Sequence, residues 1–363
     1  MIISSLQKKL NVKFLPQKLF YTPEWLVLGV NNVCNLHCKM CDVGTCYTES
    51  NFAVNLIGTH PLNMPLELIK KIIDDAAANF PSVKLGYAFT EPLVYPHLIE
   101  SLFYAQSKKL YTSVTTNALT LPKHAKQLCE SGLDHLFISL DGHEEIHNMI
   151  SGHKSSFQKA IEGIEKLIAE KHRPKISVFC TITEWNIGSL KRFADFFKKY
   201  PLEELGFMHT NFTPDNIVIA HNQLYGHNYR ATISNVTNVT ETHIGEMNLQ
   251  ILWEEIQSLK RDSFPFRLSF SPEIKSYESL KFFYNKPDVL IGKKCNDAFR
   301  NIMIKSDGSV IPSHGRYYNI NLGNVYDSSI SDIWNSTAAA IFRKDLIKAG
   351  GLLPACSRCC SAF

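Results

Sequence analysis

Three cysteines crowd into the segment CNLHCKMC, where Cys34, Cys38 and Cys41 follow a C-x3-C-x2-C spacing. Soft thiolates on so short a loop suit an iron-sulfur cluster, and three of them on four irons leave one iron open to an outside ligand. A zinc ion would prefer four protein ligands at tetrahedral spacing, and His37 is at best an incidental neighbour of such a site. A second group, Cys295, Cys356, Cys359 and Cys360, flanks a hairpin pattern and a helical one near the C-terminus. The chain holds ten cysteines, and in a reducing compartment they read as metal ligands and buried thiols rather than disulfides. Cys46, Cys129 and Cys180 take the second role. Cys129 lies in a helical pattern and Cys180 within an apolar strand, where a free thiol behaves as a small hydrophobe.

Elements that can position these thiols follow from periodicity. A chain of 363 residues, 45% hydrophobic and 20% charged, has enough apolar material for one large domain with an appendage. From Glu24 to about Phe270, short apolar or β-branched runs alternate with helical patterns, the mark of repeated β-α units around a parallel sheet. The predicted strands are Trp25 to Val30, Val83 to Phe89, Leu110 to Thr116, His135 to Leu140, Ile176 to Ile182 and Leu205 to His209, several nearly continuous in apolar residues as doubly covered strands should be. Helices are predicted between them. In Pro65 to Phe80, apolar Leu66, Ile69, Ile72, Ile73 and Ala76 recur close to a 3.6 period, with Pro65 suited to a first turn; Phe157 to Ala169 repeats the pattern with Ile161, Ile164 and Leu167. Six such units, connected right-handedly, would curl into an open α/β barrel with its chemistry at the carboxyl ends of the strands. The cysteine triplet stands directly after the first of them.

Residues 210 to 245 break the periodicity with His221, Tyr225, His227 and Tyr229 and read as loops over the barrel mouth, a lid or substrate surface. His209, His221, Tyr225 and His227 are candidates for lining a pocket there, although each suits packing or solvation equally well. His143 and His147, four apart, lack a third partner for a metal. After a helical run at Leu249 to Leu259 comes a hairpin, NIMIKSDGSVIP, whose Asp307-Gly308 pair signals the turn. A smaller unit begins near Lys293. The predicted division is 1–23 as an N-terminal extension, 24–270 as the barrel and 271–363 as a C-terminal unit.

Formal charge is only +4, with Lys and Arg scattered along the chain, so a nucleic-acid partner is not expected. The amphipathic start is interrupted by Pro16 and Pro23 and has no signal-peptide core, and no run approaches the roughly twenty apolar residues that span a bilayer. A soluble, cytoplasmic protein without a membrane partner is expected.

The motifs at the strand ends resemble those of the radical S-adenosylmethionine superfamily, whose defining loop has this cysteine spacing after the first barrel strand. The resemblance implies a partial (β/α)6 TIM-like barrel. GYAFTEP, Gly86 to Pro92, corresponds to the family's Gly-Gly-Glu-Pro segment, with Glu91 expected to receive the methionine ammonium and Phe89 and Thr90 replacing the two glycines. TTNA, Thr115 to Ala118, resembles the family's Thr-Asn segment and adds Asn117. ISLDG, Ile138 to Gly142, followed by EEIHNMISG, looks like the segment whose serine and aspartate approach the cofactor, here Ser139 and Asp141; both residue types also form turns. Ser151 stands where an arginine commonly precedes the final glycine. The family's chemistry implies a [4Fe-4S] cluster on Cys34, Cys38 and Cys41, with S-adenosylmethionine chelating the open iron. Reductive cleavage then gives a 5′-deoxyadenosyl radical that abstracts hydrogen from a substrate. An external electron donor such as flavodoxin or ferredoxin is implied.

The C-terminal order, CNDAFRNIMIKSDGSVIPSHG, GNVYDSSISDIWN and CSRCC, resembles the SPASM or twitch auxiliary-cluster domain. It implies Cys295, Cys356 and Cys359 as ligands of an auxiliary iron-sulfur cluster. Ser313, after Pro312, replaces the cysteine the family usually carries, leaving His314, Cys360 or an exogenous group as the fourth ligand, or the cluster incomplete. A four-ligand zinc or a vestigial cysteine knuckle is the alternative. The expected activity is an oxidation or rearrangement of a small polar metabolite such as a sugar or nucleotide-linked sugar. A peptide-modifying maturase ranks lower because only about twenty residues precede the first strand. A non-catalytic electron carrier would have no need of the Glu91 and Ser139 segments.

Overall fold

The computed structural model describes residues 5–80, 82–239, 241–312 and 319–362. Ten strands form one sheet: β1 (Trp25–Leu28), β2 (Lys84–Tyr87), β3 (Tyr111–Thr116), β4 (His135–Ser139), β5 (Lys175–Ile182), β6 (Glu204–His209), β7 (Arg267–Ser271), β8 (Asn301–Ile304), β9 (Ser309–Pro312) and β10 (Gly323–Asn324). Their order is β10-β9-β8-β1-β2-β3-β4-β5-β6-β7. From β1 to β7 each strand pairs parallel with the next, and helices fill the crossovers. This is the α/β, TIM-like partial barrel the sequence predicts, with two additions. A seventh strand, β7, pairs parallel with β6, and β8, the first arm of the predicted hairpin, pairs parallel with β1 on its other side. The hairpin therefore continues the barrel sheet.

Alternation along the strands separates two environments. One set of side chains, including Leu26, Leu85, Val114, Leu136, Val178 and Phe207, is buried with the covering helices in the main core. Phe193, on the helix Leu190–Phe196, meets Phe207 edge-on at 6.4 Å, which fixes this set as the helix-facing one. Each such Leu, Ile or Phe contributes about 1.5–3 kcal/mol by leaving water. The helix Leu66–Asn79 buries Leu68, Ile69, Ile72, Ile73 and Ala76 on one face, with Pro65 as its N-cap.

The other set faces inward and is more polar. Trp25 meets Tyr111 edge-on at 6.1 Å, and the Lys84 ammonium lies over both rings. His135 Nε2 is 2.8 Å from Ser177 Oγ, and Ser269 donates to Glu204 at 2.5 Å. These contacts link neighbouring strands across the inward face of the sheet. Above them Gly206 admits the Phe179 ring, since a Cβ there would stand 2.4 Å from Phe179 Cε1.

Residues 210–245 are not loops alone. They contain the helix Asp215–Tyr225, whose buried residues are Ile217 and His221. Among the described residues no helix is long and apolar enough to cross a membrane.

Candidate functional site

The cysteine loop leaves the carboxyl end of β1 and is fixed from several sides. His37 N–H donates to Ser151 O at 3.1 Å and Lys39 N–H to Ile150 O at 3.0 Å, which docks the loop on the end of the helix Glu144–Ser151. Gly44 turns tightly against it: a Cβ there would lie 2.5 Å from Cys38 O. Asp42, next to Cys41, is fully buried, and its carboxylate accepts from Ser234 Oγ at 2.6 Å and from Asn235 N–H at 3.1 Å.

At the end of β2, Phe89 and Thr90 adopt φ values of +66° and +46°, the left-handed region that glycine enters most readily. The chain thus keeps a glycine-like bend with two residues that carry a Cβ. Thr90 Oγ1 holds the bend by donating to Asn31 O at 3.0 Å, while Asn31 Nδ2 donates to Glu91 O at 2.9 Å. Glu91 is fully buried. One carboxylate oxygen accepts from Leu93 N–H at 2.9 Å and Thr116 Oγ1 at 2.6 Å, the other from Asn117 N–H at 2.7 Å. Burial pushes its pKa up to about 7, against the lowering effect of those three bonds. The carboxylate ties the end of β2 to the end of β3.

Asn117 is likewise engaged. Its Nδ2 donates to Asn35 Oδ1 at 2.7 Å, which tethers the cysteine loop to β3, and its Oδ1 accepts from Leu119 N–H. Asp141 is buried and accepts from Thr181 N–H at 2.8 Å; its own N–H donates to His147 Nδ1 at 3.0 Å. Burial raises the Asp141 pKa to about 6 and lowers that of His147 to about 4. Ser139, half-buried at the end of β4, makes no side-chain hydrogen bond among the described residues. Ser151 is fully buried, its hydroxyl 2.6 Å from Ser156 Oγ, and it contributes its carbonyl to the loop.

The donor set itself tests the group it would hold. Burial raises the Cys34 pKa to about 11, with the charges of Glu91 and Cys41 adding to the effect. Cys38 is pushed well above the ordinary thiol value by burial and by Asp141, Cys41 and Cys34. The three thiols lie within electrostatic reach of one another, in a setting rich in potential negative charge, where thiolates become favourable beside a cationic core. Among the described residues, no three His, Cys, Asp or Glu side chains could hold a single metal ion.

The C-terminal cysteines form a second gathering. Cys295 is anchored by its N–H to Gly351 O at 2.9 Å, and burial followed by Cys356 raises its thiol pKa to about 12. Cys359 is raised well above the ordinary value by its contact with Cys360, then by burial, with Cys356 and Cys295 nearby. Arg358 is fully buried and donates to the carbonyls of Phe282, Phe283, Lys286 and Val289, locking the turn between Cys356 and Cys359. Ser313 and His314 lie outside the described residues.

One chain of hydrogen bonds joins the two gatherings. Cys360 N–H donates to Asn211 Oδ1 at 2.9 Å, Asn235 Nδ2 donates to Asn211 O at 2.9 Å, and Asn235 N–H reaches Asp42 beside Cys41. Sequence reasoning singled out none of these three. Asp42 adjoins the motif, but no local pattern connects Asn211 and Asn235 to it.

The residues offered as candidates for a pocket over the barrel mouth are engaged with protein partners. His221 is buried, with Nε2 donating to Tyr229 O and Nδ1 accepting from Ala355 N–H at 3.3 Å, so it braces the turn before Cys356. Tyr225 packs beside it, and His227 is exposed and bonded to Asn228. His209 ends β6 on its helix-facing side, Nδ1 at 2.8 Å from Tyr284 Oη, and burial lowers its pKa to about 3. Packing decides His209, His221 and Tyr225, whereas His227 faces solvent.

A model of the Radical SAM superfamily matches residues 29–197, and one of the SPASM iron-sulfur cluster-binding domain matches residues 295–360. The chain is 24% identical over 359 residues to the tungsten-containing aldehyde ferredoxin oxidoreductase cofactor-modifying protein of Pyrococcus furiosus, an alignment covering 93% of this chain and 87% of that protein. Fe-coproporphyrin III synthase of Methanosarcina barkeri is 28% identical over 141 residues, 39% of this chain and 35% of its own length. Among solved structures, Streptococcus suis SuiB bound to S-adenosylmethionine superposes with a TM-score of 0.61 at 16% identity, covering 93% of this chain and 72% of that one. The protein anSMEcpe with bound AdoMet gives 0.57 at 18% identity, covering 88% and 82%. Both share the fold.

Proposed function

Because the chain belongs to the radical S-adenosylmethionine superfamily and carries a SPASM domain, we propose an enzyme that cleaves S-adenosylmethionine and turns the resulting radical on a small polar substrate. The observation that carries this reading is the placement of Cys34, Cys38 and Cys41 within electrostatic reach of one another on a loop after β1, which Asn35 ties to Asn117 at the end of β3. When bound, a reduced [4Fe-4S] cluster supplies the electron that splits S-adenosylmethionine into methionine and a 5′-deoxyadenosyl radical. Cys34, Cys38 and Cys41 would hold that cluster, and Cys295, Cys356 and Cys359 an auxiliary one.

The remaining residues position and select. Glu91, Asn117 and Asp141 fix the strand ends that would cradle the cofactor, and Ser139 would offer its hydroxyl to the nucleoside when it is bound. The bend at Phe89 and Thr90 turns the β2 backbone toward the cysteine loop. Thr115, Ser139 and Ser271 place half-buried hydroxyls on the inward faces of β3, β4 and β7, a lining that suits a hydroxyl-bearing metabolite such as a sugar or nucleotide-linked sugar. Oxidation or rearrangement of that metabolite is the reaction proposed. Likeness to a protein named for modifying a cofactor supports a substrate of small-molecule size. We place the barrel at 24–270 and the cluster-binding unit at 271–363.

Replacing Cys38 by alanine tests the assignment. The variant is expected to keep the far-ultraviolet dichroism of the wild type while forming no 5′-deoxyadenosine; retained cleavage would overturn the mechanism. Cys356→Ala should spare cleavage and remove about four irons per chain.

A further inference from the structure

The N-terminal helix Ser5–Phe14 buries none of its residues, yet it is tied down. Lys8 pairs with Glu24 at 3.2 Å, and Asn11 bonds to Leu15 O, Lys18 O and Phe20 N–H. Between this helix and the segment carrying Cys295 runs a cleft of about 710 Å³. Its lining brings Lys8, Lys9 and Lys13 from the helix together with Lys293, Lys294 and Arg300 from the C-terminal unit, against one carboxylate, Glu24. Glu24 pairs with both Lys8 and Arg300. Lys9, Lys13, Lys293 and Lys294 have no carboxylate partner among the described residues.

On a chain with a formal charge of only +4, this is a local excess of one sign. A concave, single-sign surface raises the local concentration and association rate of an oppositely charged partner. Apolar Val12, Tyr21, Phe299 and Leu346 line the same cleft, and Leu6, Leu10 and Phe14 are exposed along the helix. A small apolar patch with a charged rim is the form taken by weak, transient encounters, electron-transfer complexes among them. Cys295 stands in the cleft wall.

We propose that this cleft docks an acidic one-electron carrier protein, an iron-sulfur or flavin protein with a carboxylate-rich face. The docking rests on shape and charge; electron exchange through the Cys295 side rests in addition on the reading of the C-terminal cysteines as a cluster site. The carrier would lose one electron and the cluster that Cys295, Cys356 and Cys359 would hold would gain it, with no bond formed or broken.

Biolayer interferometry on the full chain with both clusters reconstituted, using an acidic two-cluster bacterial ferredoxin and an acidic flavodoxin as probes, tests the docking. Binding to at least one carrier is expected to weaken about tenfold as salt rises from about 50 to 300 mM. The variant Lys9→Glu/Lys13→Glu, remote in sequence from every cysteine, should lose about tenfold in affinity with unchanged iron content, and Lys171→Glu/Lys275→Glu, at two exposed lysines outside the cleft, should stay within about twofold of wild type. Equal affinity of the cleft variant and the wild type would overturn the proposal. So would the absence of salt-dependent binding to either carrier, or a loss in the cleft variant confined to anionic phosphatidylglycerol vesicles. Iron content measured on the same samples reports separately on the cluster reading.

Discussion

Thr90 shows how a single residue can hold a bend that its type resists. At φ +46°, beside Phe89 at +66°, a Cβ-bearing backbone costs about 1 kcal/mol or more, and the hydroxyl offsets this by binding Asn31. Thr90→Gly should therefore leave stability within about 1 kcal/mol of wild type, whereas Thr90→Val keeps the strain, loses the bond and should cost about 1–3 kcal/mol. Urea unfolding midpoints decide, and equal losses in the two variants would contradict the account. His209 makes a second prediction through its buried, neutral ring. Its pKa is lowered to about 3 in the folded state from the ordinary value of 6.5, by burial first and by the Lys260 charge second. The unfolded chain therefore takes up the proton first, so the stability this residue contributes is present above pH 6.5 and drains away as pH falls toward 3. Between pH 6.5 and 4.5 the wild type should lose about 2–3 kcal/mol relative to His209→Gln. A pH-independent difference between the two proteins, measured by denaturant titration, would refute the assignment.

Elements were legible in proportion to how local their signals are. The strands β1 to β6 stood out because runs such as ISVFC and LGFMH are nearly continuous in apolar residues. RLSFS alternates and is only half-buried, so β7 is specified by its pairing with β6 rather than by its own composition. The helix Asp215–Tyr225 was hidden for a related reason, since only Ile217 and His221 are buried along it. The cysteine loop is held by an element far from it in sequence, with Asn235 bonded to Asp42 across 193 residues. Asp42→Ala should release the turn at 234–235 and speed amide exchange there about tenfold or more, leaving β1 to β6 protected. Unchanged exchange at residues 230–239, followed by mass spectrometry, would show that the turn is held by other contacts.

At the scale of the whole molecule, one sheet runs from the barrel into the C-terminal unit, and the two cysteine gatherings share a hydrogen-bonded seam through Asn211 and Asn235. The gatherings themselves were readable, because Cys34 to Cys41 and Cys356 to Cys360 are clustered in the sequence. The seam and the cationic cleft were not, because each is assembled from segments that only the fold brings together. The same holds for the residues expected to touch the cofactor. Their identities were visible at the strand ends, but the bonds by which Glu91 and Asn117 tie β2, β3 and the cysteine loop together depend on three-dimensional neighbours. The central claim is tested most directly by purifying the protein without oxygen, counting iron and sulfide, and assaying 5′-deoxyadenosine formed from S-adenosylmethionine with a strong reductant. About eight irons per chain together with 5′-deoxyadenosine is the predicted result. Zinc or no iron, with S-adenosylmethionine left intact by a reconstituted sample, would contradict it.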